Sequence, residues 1–360
     1  MKKNSHGANL FELSQKYKFK PEDIKDYSSN INPFGTSRKA LDYVRAHLEN
    51  ISIYPDPEYR TLREAIASYS KSDPDDILLG EGATGLISGF INATSPKRAL
   101  IVMPSYSEYE TQIKKTGGCE IFHYVLSKNR GFKGSVEEIV QLSLEEEVDL
   151  LILCNPNNPT GSCFSYSEIE TLAQNIPSKI LIDETYVEFT DTEVFSSCAL
   201  TKKYRNLFVI RGTSKFFSTP GLRLGYALCS DPDVREYFET HTDLWNINII
   251  ATMMGEHMFT DKEYIEDTFR KITAEREFLL ESLRRFEELK VYNSYGNFIL
   301  CEIISKRIDA AQVYNALIKD ALAIRNCTSF SYLSPYFFRV CTLLPKENRL
   351  LIEKLSEVLR

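Results

Sequence analysis

A lysine lies where one apolar run of the sequence ends. Lys215 follows the strand-like run 207–210, and Arg223 comes eight positions after the lysine, before a second apolar run. A lysine at the end of a buried strand is unfavourable unless it is paired or used covalently. For any single lysine, a surface position after a strand is the more common explanation, so a chemical role for Lys215 needs support from elsewhere in the chain.

Other polar motifs follow strand-like runs in the same way. They contain Asn158, Asp183 and the turn Gly82-Ala83-Thr84, and each comes shortly after a run rich in Leu and Ile. Ligands of open α/β sheets bind beyond the carboxyl ends of the strands. We therefore expect these residues and Lys215 to meet at one edge of a sheet. Taken alone, Asn158 also fits a turn residue and Asp183 a helix N-cap.

The runs that carry these motifs alternate with helical patterns. Predicted strands are 77–79, 99–103, 121–125, 150–154, 179–182, 207–210 and 224–229. Such alternation predicts an α/β fold with a mostly parallel sheet sandwiched by helices. We assign this large domain to residues 46–270.

The two ends of the chain have a different pattern. A long helical pattern at 243–288 is followed by strands and helices in α+β order, namely 297–303, 310–318, 323–325, 337–341 and 349–359. We expect the N-terminal arm, residues 1–45, and the C-terminal residues 271–360 to form a smaller α+β domain. The active site would then lie between the domains.

The composition limits the classes of partner. The 360 residues are 43% hydrophobic and 26% charged, as in ordinary soluble proteins. A net charge of −7 argues against nucleic acid and anionic membranes as partners. The eight cysteines and five histidines show no metal-ligand spacing, so we predict no metal and reduced thiols. No apolar run approaches membrane-spanning length, and we expect a cytoplasmic location.

Together the motifs resemble the fold-type I pyridoxal phosphate (PLP) enzymes of the aminotransferase superfamily, over nearly the whole chain. The resemblance implies PLP as the cofactor, with Lys215 attached covalently to its aldehyde. It implies that Asp183 keeps the pyridine nitrogen protonated, and that Tyr186 and Asn158 hydrogen-bond the ring phenolate oxygen. Lys215, Asp183 and Tyr186 are therefore the predicted catalytic residues. Taken alone, Tyr186 also fits a core tyrosine.

The same resemblance implies how the cofactor phosphate and ring are held. The predicted contacts, besides those already named, are Gly82, Ala83, Thr84, Tyr106, Thr213, Ser214, Arg223 and Tyr54. Tyr106, otherwise a core tyrosine, matches an aromatic residue that stacks on the ring. Tyr54 matches a tyrosine that reaches the phosphate of the neighbouring subunit, which implies a homodimer with a shared active site. Relatives commonly carry Ser or Thr where this chain has Gly212, so one phosphate hydroxyl is missing or replaced by Thr213.

Two arginines in the C-terminal region point to the substrate. Arg339 is a charge inside the apolar strand 337–341, and Arg325 lies at another strand end. An unpaired charge in such a strand is unfavourable, whereas an arginine that grips a carboxylate is common at sites of this superfamily. Two arginines converging on one cleft predict a substrate with two anionic groups.

The N-terminal segments resemble the L-threonine-O-3-phosphate decarboxylase branch, which serves cobalamin assembly and is similar to the histidinol-phosphate aminotransferases. They are 6–9, where Ala8 replaces the usual glycine, and 27–35. The resemblance implies that His6, Asn32 and Arg325 bind the substrate phosphate and that Arg339 binds its carboxylate. Taken alone, His6 fits a tail residue and Asn32 a turn former.

The predicted function is a PLP-dependent decarboxylase of a phosphorylated amino acid, such as phosphothreonine or phosphoserine. The alternative is an aminotransferase acting on histidinol phosphate or another phosphorylated or phosphono amino acid. A PLP-fold protein without catalysis is disfavoured, because the lysine, the aspartate and the arginines are all present.

Overall fold

The computed structural model describes residues 7–359. The strands are β1 (Lys25–Asp26), β2 (Ile77–Gly80), β3 (Arg98–Met103), β4 (Glu120–Val125), β5 (Leu150–Cys154), β6 (Lys179–Asp183), β7 (Leu207–Gly212), β8 (Gly225–Leu228), β9 (Leu289–Val291), β10 (Phe298–Ile303), β11 (Leu322–Ala323), β12 (Arg325–Asn326) and β13 (Phe337–Cys341). The α-helices are α1 (Leu10–Tyr17), α2 (Arg38–Ala46), α3 (Arg60–Ser70), α4 (Gly82–Thr94), α5 (Glu108–Thr116), α6 (Val136–Glu145), α7 (Tyr166–Asn175), α8 (Thr192–Phe195), α9 (Pro232–His241), α10 (Ile249–Met258), α11 (Lys262–Leu283), α12 (Ala310–Leu317) and α13 (Pro345–Leu359).

The large sheet has seven strands in the order β2-β8-β7-β6-β5-β3-β4. Strand β8 is antiparallel to both of its neighbours, and the other pairs are parallel. Every residue of β5 and β7 is buried, which explains the continuous apolar runs 150–154 and 207–210; the second run is followed by the buried charge of Arg211. The predicted α/β class and mostly parallel sheet are confirmed.

The register of the parallel strands brings the polar motifs together. In the ladder Cys154 pairs with Asp183, and Asp183 pairs with Ile210. The segments that follow β5, β6 and β7 therefore leave the sheet at the same edge. Helix α4 begins two residues after β2 ends, and it packs against β7 and β8. Its first turn consequently faces the segment that carries Lys215.

The two ends of the chain are joined by smaller sheets. Strand β1 pairs in parallel with β11, and β12, β13, β10 and β9 form an antiparallel sheet. The backbone N–H of Cys341 also donates to the carbonyl of Tyr27 at 2.9 Å. These contacts agree with the expected association of the N-terminal arm with the C-terminal residues. The predicted domain boundary at 270/271 falls inside helix α11.

The helical pattern at 243–288 contains two helices rather than one. Helix α10 ends at Met258, and α11 begins at Lys262 after a cap in which the Asp261 side chain accepts from the N–H of Tyr264 at 3.3 Å. An aspartate N-cap satisfies a free N–H at a new helix start. In the described range 7–359, no helix combines the length and apolar character needed to cross a bilayer.

Candidate active site

A cavity of about 380 Å³ opens at the edge where the polar motifs meet. Its wall contains many of the predicted site residues, namely Ala83, Thr84, Tyr106, Asn158, Asp183, Tyr186, Ser214, Lys215, Arg223, Arg325 and Arg339. Residues from the seven-stranded sheet, the four-stranded sheet and the N-terminal arm therefore contribute to one site. Gly82 lies just outside the wall, at the start of α4.

Lys215 extends into this cavity from the segment that follows β7. Its Nζ donates to the carbonyl oxygen of Ser29 at 2.8 Å. Burial, and then the positive charge of Arg339, lower the pKa of the Lys215 ammonium to about 8. A lysine with this pKa has an appreciable neutral fraction near neutral pH, and the neutral amine is the form that attacks a carbonyl.

We expect covalent attachment of PLP to Lys215 to follow this pKa. In cofactor-free protein the rate should rise about tenfold per pH unit below pH 8 and level off above it, because only the neutral amine reacts. Borohydride trapping, followed by peptide mass spectrometry, measures the modified fraction. Nα-acetyl-lysine under the same conditions corrects for the ionisation of PLP itself. A midpoint near 10.5 would show that burial does not act on Lys215.

Asp183 is fixed by hydrogen bonds to both carboxylate oxygens. Tyr109 donates its hydroxyl to Oδ2 at 2.7 Å, and Thr185 donates its backbone N–H to Oδ1 at 2.9 Å. The Thr185 hydroxyl also donates to Oδ1. Asp183 is only 4% exposed, so these donors stabilise a buried carboxylate in one orientation.

Tyr109 is a residue that the sequence analysis missed. It is fully buried in the first turn of α5, and its ring lies edge-on to Tyr106 with centroids 5.6 Å apart. The available signal was the spacing of Tyr109 and Ile113 in α5, because i and i+4 share a helix face and both residues are buried. The Tyr109 hydroxyl contacts the carboxylate of Asp183, which makes it a positioning residue.

Replacing Tyr109 by phenylalanine should lower kcat about tenfold and leave KM within about twofold, since a hydrogen bond to a charged group is worth about 1.5–3 kcal/mol. The loss is expected in kcat because the predicted partner of Asp183 is the cofactor ring and not the substrate anions. Steady-state kinetics with the PLP-loaded protein measure both constants. Tyr204→Phe is a matched control, since this hydroxyl donates to Glu170 at the surface. An equal loss in both variants would contradict a positioning role for Tyr109.

Tyr186 and Asn158 lie together beside Arg339. The Tyr186 hydroxyl accepts from Nδ2 of Asn158 at 3.5 Å and from Nδ2 of Asn30 at 3.3 Å. Burial raises the pKa of the Tyr186 phenol well above its usual value. Tyr186 is therefore a neutral hydroxyl that can donate to an oxyanion. Asn30, from the N-terminal arm, was not predicted from the sequence.

Arg339 is held by neutral oxygens, not by a carboxylate. Its guanidinium donates to Oδ1 of Asn158 and, at 2.6 Å, to the carbonyl of Ser28, and it lies 5.1 Å from the Phe298 ring centroid. Its buried Nε has no hydrogen-bond partner among residues 7–359. A buried cation with an unused donor is suited to an anionic ligand.

Arg325 lies directly opposite Arg339 across the pair β12–β13. Its guanidinium donates to Oγ of Ser329 at 2.8 Å and stacks over Phe330 at 5.4 Å. Burial, and then the charge of Arg339, lower the pKa of Arg325. The two guanidinium groups thus repel each other in one cavity, and a ligand with two anionic groups would relieve this repulsion.

The start of α4 forms a cradle for an anion. Gly82 has φ +75°, and a Cβ at this position would lie 2.7 Å from NH2 of Arg223. Arg223 in turn donates to the carbonyls of Glu81 at 3.2 Å and Pro220 at 3.3 Å. The free N–H groups of the first helical turn and the adjacent guanidinium suit a phosphate. Tyr106 forms a hydrogen bond with Thr84 beside this cradle.

Asn32 and Thr213 do not line the cavity, and the predicted ligand contacts of both remain predictions. The Asn32 side chain is 1% exposed and donates to the carbonyl of Phe216 at 2.9 Å. The fully buried Thr213 hydroxyl donates to the carbonyl of Leu224 at 3.0 Å. Both side chains satisfy backbone groups around the Lys215 segment, so they hold that segment in place.

Three positions named in the sequence analysis remain to be located, namely His6, Tyr54 and Gly212. His6 falls outside the described residues, and its neighbour Gly7 lines the cavity. Tyr54 is 74% exposed, lies away from this cavity and stacks on Trp245 with centroids 4.2 Å apart. A Cβ at Gly212 would meet that of Ala83 at an ordinary 3.5 Å, so the position has room for a small side chain.

Residues 22–355 match the family described as aminotransferase class I and II. The chain belongs to this family. A protein of Caldanaerobacter subterraneus subsp. tengcongensis, provisionally named a threonine-phosphate decarboxylase, is 38% identical over 99% of this chain and 94% of its own length. The threonine-phosphate decarboxylase of Salmonella typhimurium is 28% identical over 99% of this chain and 97% of its own length.

A solved structure agrees with this family membership. The histidinol-phosphate aminotransferase of Clostridium acetobutylicum superposes with a TM-score of 0.87 and 32% identity, over 93% of this chain and 99% of that one. The predicted resemblance to fold-type I PLP enzymes, and the prediction of an enzyme of this family with PLP as cofactor, are confirmed.

The cavity residues fit PLP. The Gly82–Arg223 cradle suits its phosphate, the buried Asp183 carboxylate suits a protonated pyridine nitrogen, and Lys215 has the lowered pKa that attachment needs. In the described part of the chain, no cluster of His, Cys, Asp and Glu could hold a metal ion.

Proposed function

We propose that the protein is a PLP-dependent decarboxylase of a phosphorylated amino acid, L-threonine O-3-phosphate or a close analogue such as phosphoserine. Family membership and the two threonine-phosphate decarboxylases among its relatives support this activity. The product would be aminopropanol phosphate, for the cobalamin side chain.

The observation that carries the proposal is the pair formed by Arg325 and Arg339. These residues face each other across β12–β13 and line one cavity. L-Threonine O-3-phosphate has a carboxylate and a phosphate separated by a short carbon chain, so it can neutralise both guanidinium groups at once. We assign the carboxylate to Arg339, which has a free Nε, and the phosphate to Arg325.

Bound PLP supplies an electron sink that stabilises the negative charge left at the substrate Cα. The side chains of the chain itself set up this chemistry. Asp183 keeps a proton on the pyridine nitrogen, and the neutral Tyr186 hydroxyl and Asn158 fix the ring oxygen. Arg339 and Arg325 orient the substrate by its two anions. Lys215 Nζ returns a proton to Cα after CO2 leaves.

The second candidate is an aminotransferase of histidinol phosphate. The structural similarity to the Clostridium acetobutylicum enzyme favours it. Histidinol phosphate carries a phosphate but no carboxylate, so it would neutralise Arg325 and leave Arg339 to another substrate. We therefore place the aminotransferase second, because its substrate offers an anion to only one of the two arginines.

The PLP-loaded protein should release CO2 and an equal amount of aminopropanol phosphate from L-threonine O-3-phosphate without any oxo acid. No CO2, together with conversion of the cofactor to pyridoxamine phosphate, would reject the decarboxylase in favour of an aminotransferase. Histidinol phosphate with 2-oxoglutarate would then be the substrates to test. Unchanged cofactor absorbance with every substrate would contradict the assignment of the anion-binding residues.

Replacing Arg325 by glutamine should raise KM for L-threonine O-3-phosphate by about 10- to 100-fold, because one charge-assisted contact to phosphate is lost. Steady-state CO2 release measures the change. Unphosphorylated L-threonine is the matched control substrate, and its weak turnover should change less than about twofold. An equal loss with both substrates would place Arg325 outside the phosphate subsite.

We also propose a homodimer with a shared active site, in the cytoplasm. The exposed Tyr54 ring, which does not reach its own cavity, supports a contact with the cofactor phosphate of the other subunit. The division into residues 1–45, 46–270 and 271–360 likewise remains a proposal.

A further inference from the structure

A second cavity, of about 390 Å³, lies on the other side of β7 from the candidate active site. Successive residues of a strand point to opposite faces, and Gly212 lines the first cavity whereas Arg211 lines the second. The remaining wall comes from the segment around Glu188 and from α11, which contributes Phe269. None of the predicted site residues within 7–359 lines this cavity.

Glu188 is a buried carboxylate with one oxygen that lacks a hydrogen-bond donor in the range 7–359. It is 4% exposed, and its Oε2 has no hydrogen-bond partner among residues 7–359. Arg211 is 3.9 Å from Glu188 but is already bonded to Glu184 Oε2 at 3.0 Å and to Ser196 Oγ at 2.6 Å. Burial raises the pKa of Glu188 to about 7. An unsatisfied buried oxygen beside a cavity indicates a missing cationic or donor ligand.

The chemistry of the wall defines the class of ligand. Phe216, Phe269 and Tyr69 supply aromatic surface, and the carboxylates Asp191 and Glu266 lie at the exposed rim. No group of residues that could hold a metal ion occurs in the range 7–359. A carboxylate surrounded by aromatic rings favours an organic ammonium ion, which combines a positive charge with apolar substituents.

We propose that this cavity binds a small organic ammonium ion, with Glu188 as its counter-ion and Phe216 and Phe269 against its apolar part. The site goes beyond the proposed decarboxylase activity and does not depend on it. One wall residue connects the two cavities. Phe216 directly follows Lys215, and its carbonyl accepts from Asn32, whose own N–H donates to the carbonyl of Lys215 at 3.0 Å.

Calorimetric titration of the PLP-loaded protein with trimethylammonium chloride tests the site. A tertiary amine cannot form an imine with the cofactor, so heat from the first cavity is avoided. At about pH 8.5 Glu188 is ionised and the probe is still protonated. We expect one binding site per chain, with affinity at least about tenfold above that for tert-butanol, which has a similar size but no charge. No saturable heat, or equal affinity for tert-butanol, would overturn the proposal.

Variants locate the binding. Glu188→Gln keeps the shape and should weaken trimethylammonium binding by about tenfold or more. Glu193→Gln is the control, because this exposed carboxylate pairs with Lys71 and does not line the cavity. If Glu188→Gln does not fold, Phe269→Leu is the variant to use. It keeps the wall apolar but removes the ring, and it should weaken trimethylammonium binding about threefold. Unchanged affinity in Glu188→Gln would show that the ion binds elsewhere. If only Phe269→Leu folds, unchanged affinity in that variant would show the same.

Discussion

Replacing Lys215 by alanine should abolish covalent attachment of PLP and lower CO2 release by more than about 10³-fold. Under the proposed function, this side chain is the amine that attaches the cofactor and the group that returns the proton to Cα. Lys215 lines the cavity, and among residues 7–359 its Nζ bonds only the Ser29 carbonyl, at 2.8 Å, so its removal breaks one contact within this range. Peptide mass spectrometry after borohydride trapping, together with CO2 release, measures the two effects separately.

The control for this experiment is Lys71→Ala. Lys71 lies at the surface, where it forms an ion pair with Glu193, and it does not line the cavity. We expect wild-type attachment and activity in this variant. Retention of trapped PLP in Lys215→Ala would mean that a different lysine carries the cofactor.

Replacing Asp183 by asparagine should lower kcat by about 10²- to 10³-fold while PLP stays attached to Lys215. An amide has nearly the shape of a carboxylate but cannot keep a proton on the pyridine nitrogen. In the wild-type chain the Tyr109 hydroxyl and the Thr185 N–H both donate to Asp183, so the NH2 group of an asparagine would face one of these donors and lose its hydrogen bond. Stopped assays of CO2 release give kcat, and PLP content is measured in the same samples.

Asp42→Asn provides the comparison for this second prediction. Asp42 is an exposed carboxylate that pairs with Arg45 at 3.1 Å within α2, so its loss should change kcat by less than about twofold. If Asp183→Asn keeps wild-type kcat with PLP attached, the protonation of the ring does not depend on Asp183.

Much of the fold could be predicted from the sequence because the buried parallel strands leave a strong signal. Strands such as β5 and β6 are covered on both faces, so residues 150–153 and 180–182 are continuous runs of Leu and Ile. The two-residue strand β1 was not predicted, since a pair of residues has no periodicity, and the predicted strand 323–325 divides into β11 and β12. The break between α10 and α11 was missed because the residues around it keep the helical pattern.

The candidate site was predicted less completely for a physical reason. Residues after parallel strands meet at one edge, so Lys215, Asp183 and Asn158 could be placed together from the pattern alone. A side chain's partner, however, depends on tertiary packing. Asn32 turns inward to backbone carbonyls, and Tyr109 reaches Asp183 from a helix that otherwise has an ordinary amphipathic pattern.

Two consecutive carbonyls of the N-terminal arm hold the two key cations of the cavity. The carbonyl of Ser28 accepts from Arg339, and that of Ser29 accepts from Lys215. When the lysine nitrogen is taken up by the cofactor, the second carbonyl loses its charged donor while the first keeps its own. The two carbonyls belong to adjacent peptide units, so we expect a change in the chemical state of Lys215 to alter the position of the Ser28 carbonyl that holds Arg339.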